Sequence, residues 1–318
     1  MKILKFGGKS LSNGDGINKV VAIIEGKVAN QEQIAVVVSA RGNATDELEE
    51  ILALASKNGD YKQLFEDFKH YQQDVYADVD LSVEFNKLEK LFEGVSLIGD
   101  YSVKIKDEVL SKGELLSAKL LTAILISKGI NARFTDTREL IKTDSNYGDA
   151  QPVEQLSKKN VVTYFKEHNG STVNIVTGFI GSNNKNEATT LGRNGSNYTA
   201  SLLANYLDAE ELQNYTHVDG IYTANPDLVL DAKKIDQLTF NEANELANFG
   251  ATILHAKTII PLLEKNIPLR ILNTFNHENQ GTLITSNAGK EGIKTLSVLE
   301  NVALVNLEGR GLLGKTGV

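Results

Sequence analysis

Five segments of this chain set polar or charged side chains beside glycines or at helix starts, and three of them suit the handling of a small anion. Lys5 closes the apolar run Ile3–Phe6 and stands before Gly7-Gly8. Paired glycines let a backbone approach a phosphate, and a lysine beside them supplies positive charge. A surface lysine at a turn is the other reading of the same residue. Ser39-Ala-Arg-Gly-Asn-Ala-Thr45 follows a β-branched run and opens a helix. Such a segment makes an anion site from N–H groups and hydroxyls, or simply a cap built on Asn43 or Thr45. Gly113-Glu114 is read as the start of an apolar helix, where the helix dipole favours a carboxylate whatever its use. Thr190-Leu-Gly-Arg193-Asn-Gly-Ser196-Asn197 is the densest segment. A guanidinium beside exposed N–H groups fits a carboxylate or phosphate, against the alternative of a capped turn. Tyr215 to Pro226 carries two tyrosines that could stack on a base or pack with satisfied hydroxyls.

Two phosphate-loop patterns need a decision. Gly8-Lys9-Ser10 lacks the earlier glycine of a Walker loop, since position 3 is Ile. Gly309 to Thr316 matches the whole pattern, but no helix or later strand follows to complete the site. A glycine-rich turn in an accessory domain is the reading kept. The histidines at 70, 168, 217, 255 and 277 show no metal-ligand spacing, so no metal-binding residues are assigned.

The elements that must hold these residues alternate. Ile3–Phe6, Ile34–Val38 and Val173–Thr177 read as strands ending in polar or glycine turns. Leu48, Ile51, Leu52 and Ala55 mark one helix face. Tyr61, Leu64, Phe65, Phe68 and Val75 mark another, and Leu115, Leu116, Leu120 and Ala123 a third. Alternation of this kind predicts an α/β fold with a largely parallel sheet. Its ligands should lie at the strands' carboxyl ends, at Gly7–Ser10, Ser39–Thr45 and Gly178–Ser182. Asp60 to Asp107 reads as a helical insertion or lid. With 318 residues, no Cys, 33 basic and 41 acidic residues, the net charge is −8. That balance argues against a general nucleic-acid or membrane-surface binder and removes thiolate chemistry. No signal or membrane-spanning segment is visible, and the expected location is the cytoplasm.

Together the segments resemble the aspartokinase family of the amino-acid kinase superfamily. The carrying residues are Lys5-Phe-Gly-Gly8, Val37-Val-Ser-Ala40, Gly113-Glu-Leu-Leu-Ser-Ala118, Gly192-Arg-Asn-Gly-Ser196, Val218-Asp-Gly-Ile-Tyr-Thr223 and Phe249-Gly-Ala-Thr-Ile-Leu-His255. They occur in family order, and the wording is most similar to the kinase part of bifunctional aspartokinase–homoserine dehydrogenases. The resemblance implies a three-layer α/β/α sandwich over residues 1–288. Residues 289–318 would be a linker and the beginning of an ACT regulatory domain, cut short at Val318. It implies MgATP-dependent phosphorylation of the side-chain carboxylate of L-aspartate, and a homo-oligomer in the full-length protein. Lys5 would neutralise the transferring phosphoryl group, with Gly7, Gly8, Lys9 and Ser10 around the phosphates. Arg193 would clamp the α-carboxylate, Glu114 the α-ammonium, and Ser39, Thr45 and Ser196 would complete the aspartate pocket. Thr216, His217 and Tyr222 fall in the nucleotide segment.

The chain departs from the family's usual residues at Lys9, Asn197, His217, Asn225, Asp227 and Thr252. Asn197 need not stop catalysis. A carboxylate nucleophile with a pKa near ~3.9 needs no base, and the carboxamide can still hydrogen-bond Lys5. Two rival expectations follow: another superfamily kinase acting on an acid or carbamate, or a catalytically impaired kinase fold kept for amino-acid sensing or assembly.

Overall fold

The computed structural model describes residues 1–76, 78–168, 170, 172–248, 255–276, 278–287 and 294–296. β1 (Lys2–Phe6) leads into α1 (Gly8–Leu11), α2 (Asn13–Ala29) and β2 (Ile34–Val38). A helical stretch follows: α3 (Ala44–Ser56), α4 (Lys62–Gln73), α5 (Ser82–Ile98) and α6 (Val103–Ser127). Next come β3 (Ala132–Thr135), α7 (Thr137–Leu140), α8 (Glu154–Glu167) and β4 (Val173–Thr177). The hairpin β5 (Ile180–Ser182) and β6 (Ala188–Thr190) precedes α9 (Gly195–Tyr206) and β7 (Glu211–Thr216). β8 (Gln237–Thr239), α10 (Phe240–Asn248), α11 (Ala256–Glu264), β9 (Leu269–Asn273) and β10 (Thr282–Thr285) complete the order.

The main sheet runs β3-β4-β2-β1-β7-β9-β10-β8. Every pairing in it is parallel except β10 against β9, which is antiparallel. Strands in such a sheet are covered on both faces, and β2 is buried at every residue. Alternation along β1 and β2 divides the apolar side chains between two cores. Leu4, Phe6, Val36 and Val38 pack with residues of α2, α3, α5 and α6. Ile3, Ala35 and Val37 pack with residues of α8, α9 and α11. This is the expected three-layer sandwich with a mainly parallel sheet. The helix faces read from the sequence are its inner surfaces, with Leu48, Ile51, Leu52 and Ala55 all fully buried.

Two boundaries differ from the sequence reading. The stretch from Asp60 to Asp107 is not one insertion, because its end falls inside α6. Its aromatic face is packed into the core, with Phe65 and Phe92 edge to face at 5.2 Å. Glu114 does not open a helix: α6 begins at Val103, capped by Ser102, and Glu114 lies in its middle. Gly113 looked like a helix start, but it marks a close approach. A Cβ there would lie 2.7 Å from the Ala40 Cβ.

No helix among the described residues is long and apolar enough to cross a membrane. Residues 288–293 and 297–318 lie outside the described residues. So do the expected ACT-domain strand, the Gly309–Thr316 pattern, and residues 249–254 of the last family segment.

Candidate active site

β1 lies between β2 and β7, the place in the sheet where the chain order turns and where open α/β sheets bind ligands. A cavity of about 670 Å³ opens at that point. It is lined by Lys5, Gly8, Ser39, Thr45, Glu114, Arg193, Ser196 and Asn197. Eight of the residues expected in the site are thus brought together from four separate parts of the chain.

The first turns of α3 and α9 both border this cavity, through Asn43, Thr45 and Asp46 on one side and Asn194 to Asn197 on the other. The leading N–H groups of a helix have no intrahelical acceptor, so two such ends favour anions. The side chain of Asn43 makes no capping bond, and neither does that of Asn194, which sits in the left-handed region at φ 59°. Neither polar side chain therefore competes for its helix end.

Lys5 is buried, and its ammonium group makes no hydrogen bond or ion pair among the described residues. Burial lowers its pKa to about 8, with the charge of Glu114 opposing that shift. Glu114 is also buried, and desolvation pushes its carboxyl up to about 8. One of its oxygens accepts from the Ala40 N–H at 3.0 Å, and the other has no partner among the described residues. Arg193 stands exposed at the cavity, its guanidinium unpaired among the described residues. Asn197 does not hydrogen-bond Lys5: its carboxamide oxygen is buried without a partner among the described residues. The site therefore presents two uncommitted cations and a carboxylate with a free oxygen. That set complements a small molecule carrying carboxylates and an ammonium group.

Close packing explains several glycines. A Cβ on Gly8 would lie 2.6 Å from the Gly42 carbonyl oxygen, and one on Gly178 would lie 2.6 Å from the Ser196 Cβ. Gly8 thus lets the β1 and β2 turns touch, whatever it does for a phosphate.

The expected nucleotide residues are placed differently. Gly7, Lys9, Ser10, Thr216, His217 and Tyr222 do not line the cavity. The Ser10 hydroxyl, expected beside the phosphates, is engaged within the protein. It is fully buried and accepts from the Thr274 hydroxyl at 2.7 Å, tying α1 to the end of β9. Tyr215 takes the packing role, stacked on Phe6 with ring centroids 4.7 Å apart. Lys9 and His217 are both exposed; partial burial, then the charge of Lys9, lowers the histidine pKa. Thr216 spends its hydroxyl on the Val218 and Leu272 carbonyls.

Three residues near the site had no role in the sequence reading. Arg41 is fully buried, donates to the Leu11 and Tyr71 carbonyls and to Asp74, and stacks over the Tyr71 ring at 4.2 Å. It fastens the Ser39–Thr45 turn to α4. Phe179, in a segment expected at the site, has φ 67°, a strained value for a bulky side chain. Its backbone is held by Thr199 and Leu191. Asp107 stood at the edge of the supposed insertion, where nothing distinguished it from a solvated charge.

A model of the amino acid kinase family matches residues 1–273. The chain is 34% identical over 326 residues to a bifunctional aspartokinase/homoserine dehydrogenase of Buchnera aphidicola, covering 97% of this chain and 40% of that one. It is 31% identical to the lysine-sensitive aspartokinase 3 of Escherichia coli, over 99% of this chain and 71% of that protein. The solved structure of E. coli aspartokinase III with aspartate and ADP matches with a TM-score of 0.80 and 30% identity, covering 91% of this chain and 65% of that one. The chain spans less than half the length of the bifunctional relative.

Proposed function

This chain belongs to the amino acid kinase family and, within it, to the aspartokinases; from that premise we propose that it phosphorylates the side-chain carboxylate of L-aspartate with ATP. The products are 4-phospho-L-aspartate and ADP. One observation carries the reading. A single cavity joins an unpaired guanidinium, a buried carboxylate with a free oxygen and a buried unpaired lysine between two helix N-termini. In the reaction we propose, Arg193 takes the α-carboxylate and charged Glu114 takes the α-ammonium. The side-chain carboxylate is then turned toward Lys5 at the end of β1. A carboxylate oxygen attacks the γ-phosphorus, and the bond to the bridging oxygen breaks to release ADP. No proton need be removed from the nucleophile, so positioning and charge neutralisation supply the catalysis. Lys5 is the cation best placed to meet charge developing on the phosphoryl oxygens. Among the described residues no group of three His, Asp or Glu could hold a metal. A magnesium ion arriving with ATP would take most of its ligands from the phosphates and water.

We extend the reading to a cytoplasmic homo-oligomer with residues 1–288 as its catalytic unit and 289–318 opening an ACT domain. The end of the family match at residue 273 and of the last described strand at Thr285 supports that catalytic boundary. The test is ATP-dependent hydroxamate formation from aspartate and hydroxylamine. Hydroxamate with aspartate but not with other acids is the expected result. Turnover confined to another acid would overturn the substrate. Nucleotide binding with no turnover would favour the impaired-kinase reading, which the departures at Lys9, Asn197 and His217 from the family's usual residues support.

A further inference from the structure

We propose that Asp107 is a positioning residue for the amino-acid pocket, holding the loop that carries Arg193 at a fixed place relative to Glu114. The inference rests on the aspartate-kinase reading. Both acidic residues belong to α6, and Asp107 lies two helical turns before Glu114, so they share one face of the helix. Glu114 keeps a free oxygen for a ligand, but Asp107 keeps none. Its side chain is 1% exposed. One carboxylate oxygen accepts from the Gly148 and Thr190 N–H groups, each at 2.9 Å, and the other accepts from the Thr190 hydroxyl at 2.9 Å. The carbonyl of Thr190 is taken in turn by the Ala150 N–H at 2.9 Å.

Thr190 ends β6, and the chain reaches Arg193 within three residues. Between them, Gly192 sits at φ 75°, where a Cβ would lie 2.3 Å from an Asp149 oxygen. The far side of this loop is held from α11, where Lys257 pairs with Asp149 and donates to the Leu191 carbonyl at 3.4 Å. Asp107 is therefore the buried link from this loop to the helix that carries Glu114, beside a half-exposed ion pair of Lys104 with Glu187 just before β6. A zwitterion held at both ends needs its two charged anchors correctly spaced, and a displacement of about 1 Å can cost about 10²-fold. Through Asp107, α6 sets that spacing.

Asp107→Ala removes all three acceptor contacts. The expected result is an aspartate KM raised about tenfold or more, with the ATP KM within about twofold of wild type. Asp107→Asn should recover most of the loss. Its carboxamide oxygen can accept both N–H groups, and its NH2 can donate to the Thr190 hydroxyl. Thr190→Val, which keeps the backbone bond and removes only the hydroxyl, serves if the alanine variant fails to fold; its aspartate KM should rise a few-fold. A residue needed only for stability would lower Tm and the active fraction and leave KM alone. Wild-type aspartate KM in a folded Asp107→Ala or Thr190→Val, or equal rises in both KM values, overturns the inference and leaves the proposed reaction standing. Absence of aspartate-dependent turnover in the wild type would remove the reaction itself.

Discussion

On the two sides of β1 the protein treats its polar groups in opposite ways. Toward β2, α3 and α6 they are buried and committed: Arg41 and Asp107 have every strong contact satisfied, and Glu114 is withheld from water with one oxygen free. Toward β7 the residues expected to meet the nucleotide are more open, with Lys9 and His217 at the surface and Thr216 half-buried and bonded to its own neighbours, although Ser10 beside them is buried. Burial makes a polar group costly unless its partner is fixed, so the first side is built to one shape before any ligand arrives. Charge at the surface of the second side is screened and adaptable. Selection for the amino acid is expected from the first side, and nucleotide contacts of lower individual worth from the second.

Lys5 stands on the boundary, and losing it should have the largest effect. Lys5→Met is expected to cut kcat about 10²–10³-fold, as removal of one transition-state donor does. Aspartate binding by calorimetry should persist within several-fold. If binding is lost while turnover at saturation survives, Lys5 belongs to the pocket and the boundary is misplaced.

Next in size is Arg193→Ala. Loss of a charge-assisted bond of about 1.5–3 kcal/mol should raise the aspartate KM about 10- to 100-fold with little change for ATP. Equal rises in both would dissolve the division between the two sides.

Glu114 gives a pH test of smaller amplitude. Its carboxyl is raised to about 8 by burial, so most molecules carry it protonated at neutral pH, and only the charged form can receive an ammonium group. The ratio kcat/KM for aspartate should therefore climb as pH rises toward 8, by no more than about tenfold per pH unit. Lys5, lowered to about 8, should impose a fall above that pH. The two limbs belong to the pair rather than to single residues. Glu114→Gln should flatten the rising limb. It should also gain stability relative to wild type as pH rises from about 4.5 to 8, because the folded wild type keeps a proton that the unfolded chain releases.

The committed side was only partly legible in the sequence, for a physical reason. Ser39, Thr45, Arg193 and Ser196 lie in turns whose glycines and hydroxyls are local signals, and the structure gathers them at one cavity. The strands at 3–6, 34–38 and 173–177 show local alternation or β-branched runs and were equally readable. Glu114 was found but set at a helix start, since Gly113 resembles a breaker until Ala40 is seen against it. Arg41 and Asp107 could not be found this way. Their partners lie 30 or more residues away, at Leu11, Tyr71, Gly148 and Thr190, and nothing local separates a buried, fully paired charge from a solvated one. Ser10 shows the converse: a hydroxyl beside two glycines looks free until Thr274 is found bonded to it.

The smallest expected effect concerns Lys9, and it tests the exposed side directly. Lys9 follows Gly8 in α1, points to solvent and forms no ion pair among the described residues. Its charge reaches His217 across the turn, where it helps hold the imidazole neutral. A neutral His217 adds no cation there, so Lys9 supplies the positive charge at the mouth of the β1 and β7 turns. If nucleotide phosphates pass this point, Lys9→Thr should raise the ATP KM, but by less than about fivefold, since one exposed charge is worth at most about 1 kcal/mol. The aspartate KM should stay constant. The increase should shrink between low and physiological salt, because an exposed charge is screened over about 8–10 Å. An ATP KM that falls in Lys9→Thr would make the lysine an obstacle rather than an aid. A rise that persists undiminished in salt would mean that Lys9 is buried against the nucleotide when it binds, and the exposed side would then close on its ligand as tightly as the other.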